Sequence, residues 1–220
     1  GQDDSGDSGD SGREEIPEET AGPFPANGTN GVDVLAESGI VRQDIRTSFG
    51  TGTATAEGVP LRLRMRIRDL EGDELTVPAG AAVYVWHCDR EGRYSMYSPG
   101  VERENYLRGV QVVDDEGWVE FTTVYPGAYP GRWPHVHFEV YPSLDEATRA
   151  SGKLCTSQLA FPEDACREAY DADGYGASAG HLGETTPDED IVFADGHDLQ
   201  MARLSGDNEA GWTATLDVAV

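Results

Sequence analysis

A chain of 220 residues with 38% hydrophobic content can bury one sizeable core, and no apolar run in it approaches the length of a bilayer span. Forty-one acidic residues against 16 basic ones, of which only Lys153 is a lysine, give a formal charge of −25 and a surface that would repel nucleic acid and anionic lipid. Three cysteines are too few for a disulfide framework.

Residues 1–12 repeat Asp-Ser-Gly and hold nothing large enough to offset the entropy of ordering, so residues 1–17 are expected to form a flexible acidic tether. Such leaders often follow a removed signal or lipid anchor, which leads to the expectation of a secreted or cell-surface tethered protein. Residues 18–220 read as one domain. Pro, Gly and Asn dominate from Gly22 to Gly31 and predict an extended arm with turns. A short strand follows at Gly39–Arg46. Leu61 to Asp69 then alternates strictly, with apolar residues inward and Arg62, Arg64, Arg66 and Arg68 outward, as a half-buried strand does. Those arginines read as a solvated face paired with local carboxylates.

Ala81–Cys88 is a β-rich run with both faces covered, and Asp89–Gly92 makes the turn after it. Further strands are predicted at 109–113, 118–124, 133–141 and 153–161, at the spacing of a sandwich. One short helix is predicted at Pro162–Tyr170, with Pro162, Glu163 and Asp164 in its first turn. Residues 171–190 are a Gly-rich excursion, and short strands at 191–193, 199–204 and 212–220 close the chain. The fold expected is mainly β: an antiparallel β-sandwich core with one short helix. Cys155 and Cys166 bracket a strand-to-helix segment and are expected to be bridged if the chain is exported, with Cys88 a small core residue.

The most informative stretch is Trp133 to Tyr141. Its alternation puts His135, His137, Glu139 and Tyr141 on one face and Val136, Phe138 and Val140 on the other. A His-X-His pair on a rigid strand suits a metal, because the imidazoles start on the same side and lose little freedom on converging. Tyr129 lies just upstream in a Pro/Gly turn. His87, His181 and His197 read instead as strand-end and loop residues.

Gly92-Arg93-Tyr94, Asn105-Tyr106-Leu107-Arg108-Gly109, Asp115-Glu116-Gly117-Trp118, the run Phe121 to Pro130 and His135-Val136-His137-Phe138 together resemble the core of the intradiol ring-cleavage dioxygenases, the family of protocatechuate 3,4-dioxygenase and catechol 1,2-dioxygenase. The likeness extends to Glu19–Phe24 and Thr156–Leu159 and spans most of residues 18–165. It implies Tyr94, Tyr129, His135 and His137 as ligands of a non-haem Fe(III), with Tyr97 and Tyr106 competing for the role of Tyr94. Phenols must lose a proton near pKa 10 to bind, which needs a strong Lewis acid. Two phenolates and one hydroxide would neutralise Fe(III), so a catecholate dianion could replace two anions without a change of charge.

The resemblance further implies Tyr129 and His137 as axial ligands, and departure of Tyr129 as a base when a catechol binds and O2 attacks the ring. It implies a charge-stabilising role for Arg132, set in Arg-Trp-Pro-His where the family more often has Arg-Pro-x-His. Gln158 matches a glutamine behind the ligands, and Trp133 is expected with Arg132 and Gln158 at the substrate. Only five residues separate Tyr129 from His135, which predicts an open pocket mouth and loose substrate choice. The competing reading is a transthyretin-like or carbohydrate-associated β-sandwich module that binds without turnover.

Overall fold

In the computed structural model, residues 14–220 are described; the expected tether therefore lies largely outside the described residues. Among the described residues nine strands form two sheets. Strands β1 (Pro60–Glu71), β2 (Glu74–Thr76), β5 (Trp118–Val124), β8 (Arg203–Asp207) and β9 (Gly211–Ala219) make one sheet, and β3 (Ala82–Trp86), β4 (Arg108–Val112), β6 (His135–Tyr141) and β7 (Cys155–Ala160) make the other, in the order β4-β3-β6-β7. Leu61, Leu63, Met65 and Ile67 of β1 meet Val83 and Val85 of β3 and Val136, Phe138 and Val140 of β6 in the core between the sheets.

The alternation of β1 survives as predicted, and three of its four arginines find local partners, of which only the partner of Arg62 is a carboxylate. Arg62 pairs with Glu120 on β5, while Arg64 and Arg66 lie over the Trp118 ring with centroid distances of 4.4 and 5.4 Å. The sandwich is not wholly antiparallel, because β1 pairs in parallel with β9 from Leu61↔Trp212 to Arg68↔Ala219.

Several expectations are corrected. Helix α2 (Glu163–Ala169) matches the predicted one, but it is joined by α1 (Leu144–Thr148) and by α3 (Gly176–Leu182) within the Gly-rich excursion. Helix α1 starts where the Ser143 side chain accepts from the Glu146 N–H, a cap within a short polar run that carries little helical periodicity. Residues 39–46 make only isolated bridges, Val41 to Val110 and Asp44 to Thr122, and 191–193 is turn rather than strand.

All three cysteines are free and buried, so no bridge joins Cys155 to Cys166. Strand β7 carries the chain about 16 Å away from Cys155 before α2 begins, and Cys166 Sγ instead contacts Tyr125 Oη at 3.3 Å. Ile16, placed in the tether by sequence, is buried in the core, with its N–H donating to Ala219 O at 2.9 Å.

The outer face of the second sheet carries the polar residues of β6. Over it lies the N-terminal arm, pinned by Gln158 Nε2 to Thr20 O (2.9 Å), Arg108 Nη2 to Phe24 O (2.9 Å) and Asn27 Nδ2 to Glu139 Oε1 (2.8 Å).

Candidate metal centre

Strand β6 delivers His135 and His137 to the same face, as their spacing predicts, and both are buried. Across the ladder, His137 sits between Trp86 on β3 and Gln158 on β7. The Trp86 indole stacks on its imidazole at 5.0 Å with an interplanar angle of 5°. Tyr94 comes from the loop after β3. There Asp89 Oδ1 accepts from the backbone of Glu91 (3.0 Å) and Arg93 (2.9 Å), folding the chain back on itself. Gly92 closes that loop at φ +82°, where a Cβ would stand 2.7 Å from Ala128 O, so only glycine lets the Tyr94 loop pack against the Tyr129 segment.

The four side chains meet at their tips. Tyr94 Oη lies 3.1 Å from Tyr129 Oη, 3.3 Å from His135 Nε2 and 3.1 Å from His137 Nε2. His135 Nε2 is 3.2 Å from Tyr129 Oη and 3.1 Å from His137 Nε2. His135 Nδ1 faces Trp133 O at 2.6 Å, and since a carbonyl only accepts, Nδ1 carries the proton and Nε2 presents a lone pair inward. That one lone pair is approached by several neighbours at once, an arrangement poorly suited to hydrogen bonding. It is well suited to a cation, because two bonds of roughly 2.1 Å meeting near a right angle put their donor atoms about 3.0 Å apart.

Among the described residues no group of three or more His, Cys, Asp or Glu side chains could hold a metal, so a metal at this point must use the phenols. The electrostatics agree. Burial drives the Tyr94 phenol well above its ordinary value, with the Tyr129 phenol adding to the effect, and pushes Tyr129 up to about 12. Burial likewise lowers His135 to about 3, with the Arg132 charge reinforcing it, and drives His137 well below its usual range, with His135 reinforcing it. The metal-free site is therefore neutral, and ionising its phenols calls for a strongly charged cation. Fe(III) fits that donor set.

Tyr97 and Tyr106 do not compete with Tyr94. Tyr97 Oη donates to Asn30 Oδ1 at 2.8 Å and Tyr106 Oη to Asp89 Oδ2 at 2.8 Å. Glu139 shares the histidine face but is held by Asn27 and, at 3.1 Å, by Thr156 Oγ1. His87 bridges Cys88 O and Thr123 Oγ1 at 2.7 and 2.8 Å.

Arg132 and Gln158 do reach the cluster. Arg132 Nη1 stands 3.4 Å from His135 Nε2, and Nη2 donates to Gln158 Oε1 at 2.5 Å. Trp133, expected at the substrate, instead packs its ring in the inter-sheet core, and its indole N–H donates to Phe161 O at 2.7 Å. Sequence reasoning missed Asp190, a fully buried carboxylate that accepts from Arg132 Nε at 2.8 Å. It lies in a stretch with no periodicity, and its sequence carries no signal beyond being acidic.

Residues 36–170 match the Dioxygenase_C family model, described as a dioxygenase. The chain is 34% identical over 76 residues to a chlorocatechol 1,2-dioxygenase of Rhodococcus opacus, which covers 34% of this chain and 28% of that enzyme. It is 37% identical over 68 residues to a catechol 1,2-dioxygenase of Candida albicans, covering 31% of this chain and 22% of that protein. These matches span less than a third of either relative. An intradiol ring-cleavage dioxygenase from Tetranychus urticae is similar along nearly the whole length, with a TM-score of 0.70, 25% identity and 94% of both chains covered. With the family match running through Tyr94, Tyr129, His135 and His137, the chain belongs to the intradiol ring-cleavage dioxygenases.

Proposed function

We propose that the chain is a non-haem Fe(III) dioxygenase that cleaves catecholic rings between their hydroxyl-bearing carbons with O2, giving cis,cis-muconate-type products. The observation that carries this reading is the convergence of two phenol oxygens and two imidazole nitrogens to 3.1–3.3 Å, with the His135 tautomer fixed to face inward. Fe(III) would supply a Lewis acid strong enough to hold phenolates and a catecholate and to activate the bound ring toward O2.

The chain's own residues divide the remaining work. His135 and His137, neutral and buried, would hold the metal throughout. Tyr94 is buried with them, whereas Tyr129 is partly exposed at the mouth and is the donor free to swing aside. Once displaced, its phenolate would take a catechol proton at Oη, since a phenol's ordinary pKa near 10 leaves the anion basic enough to do so. Arg132 sets a fixed positive charge beside His135, where negative charge developing on the ring would be stabilised, and Gln158 braces it.

Metal analysis with oxygen uptake over a small catechol panel tests the reading. Iron-loaded protein should absorb in the visible through its phenolates and convert catechol to a colourless product absorbing in the ultraviolet. A yellow semialdehyde, the mark of cleavage outside the diol, would overturn both the ligand set and the regiochemistry.

A further inference from the structure

Asp190 is unusually well satisfied for a carboxylate with no exposed surface. Oδ2 accepts from Arg132 Nε at 2.8 Å and from the Trp133 N–H at 2.7 Å, and Oδ1 accepts from the N–H groups of Val192 at 2.8 Å and Phe193 at 3.2 Å. Burial alone would raise its pKa, but these bonds outweigh burial and hold the carboxyl below its ordinary value. The three nitrogens of the Arg132 guanidinium are thereby divided: Nε on Asp190, Nη2 on Gln158, and Nη1 at the four-donor cluster. A planar fork pinned at two corners has its third corner aimed.

We propose that Asp190 is a positioning residue for ring cleavage: by anchoring Nε of Arg132 it fixes where the Nη1 edge points, and only a carboxylate can do so here. The proposal rests on the function given above. Two N–H donors face each carboxylate oxygen, and an amide offers one oxygen for the four of them. In Asp190→Asn that oxygen can keep the Val192 and Phe193 contacts and preserve the turn, while the new amide nitrogen confronts Arg132 Nε and the Trp133 N–H. The substitution thus separates a role in the turn from a role in aiming Arg132. Had Asp190 only capped the turn, Arg132 would behave alike in both proteins.

The first measurement uses metal-free protein, so it does not depend on turnover. The Nε–H resonance of Arg132, assigned by its loss in Arg132→Lys, should exchange slowly with water in the wild type and roughly 10- to 100-fold faster in Asp190→Asn, as expected when a charge-assisted hydrogen bond is lost. The second uses iron-loaded protein. Asp190→Asn should lower kcat on catechol by roughly 10- to 100-fold at unchanged iron content and visible absorption, and should have no further effect in an Arg132→Lys background.

An Arg132 Nε–H indifferent to Asp190→Asn, or kinetic effects that multiply in the double variant, would overturn the proposal. If Asp190→Asn does not fold, a fast-exchanging Arg132 Nε–H in the wild type overturns it and a slow one supports it. Absence of catechol turnover in the wild type would sink the functional reading, and the exchange measurement would still decide whether Asp190 holds Arg132.

Discussion

Of the four candidate ligands Tyr129 is partly exposed and the other three are buried, so their replacements should fail differently. Tyr129→Phe removes the donor at the mouth; iron should be retained while much of the long-wavelength absorption and the rate of catechol binding are lost, as stopped-flow spectroscopy would show. His135→Ala and His137→Ala should empty the site on metal analysis, since β6 offers no substitute within reach. Glu139→Gln is the control on the same face: it is held by Asn27, Thr156 and, at 3.9 Å, Lys153, so iron content should be unchanged while thermal stability falls. The donor set was legible because a period of two puts two histidines on one face, and because the resemblance to the dioxygenase family singled out Tyr94 and Tyr129. The burial of Trp133 in the core was not legible because sequence shows an aromatic two residues before a histidine but not which way the backbone turns it. Asp190 was illegible because its meaning lies in Arg132, 58 residues earlier.

Strands with strict alternation or continuous apolar character, β1, β3, β5 and β6, were placed to within a few residues because burial on a pleated sheet imposes the pattern directly. Helices α1 and α3 were harder than α2, whose start is marked by Pro162, Glu163 and Asp164, since five- and seven-residue helices span too few turns to show a period and depend on tertiary packing. The N-terminal arm has no regular structure, yet it roofs the site. Gly22 sits at φ +68°, and a Cβ there would touch His137 Cε1 at 3.4 Å. Gly22→Ala should therefore cost about 1–2 kcal/mol from the left-handed backbone alone and loosen the arm over His137. Denaturant titration would read the cost, and amide exchange at residues 20–24 would read the loosening.

For the whole molecule, the buried histidines set an acid limit. Burial lowers His87 to about 4 and His135 to about 3, whereas both titrate near 6.5 once unfolded. Below that value the unfolded chain takes up protons that the fold refuses, so stability of the metal-free protein should fall as pH drops from about 6.5 toward 3, by about 1–2 kcal/mol per histidine at pH 5. Urea midpoints at pH 7 and pH 5 check this. The formal charge of −25 predicts a second trend, a melting temperature that rises as added salt screens self-repulsion. The pairing of β1 with β9 bears on a different question, that of time. Leu61 finds Trp212 only after about 150 intervening residues, whereas the sheet bearing the histidines is complete by Ala160. Closing so long a loop is entropically slow. The sheet bearing the histidines can therefore assemble first, leaving the β9-facing backbone edge of β1 unpaired until β9 arrives, and that interval is when refolding chains are most exposed to aggregation.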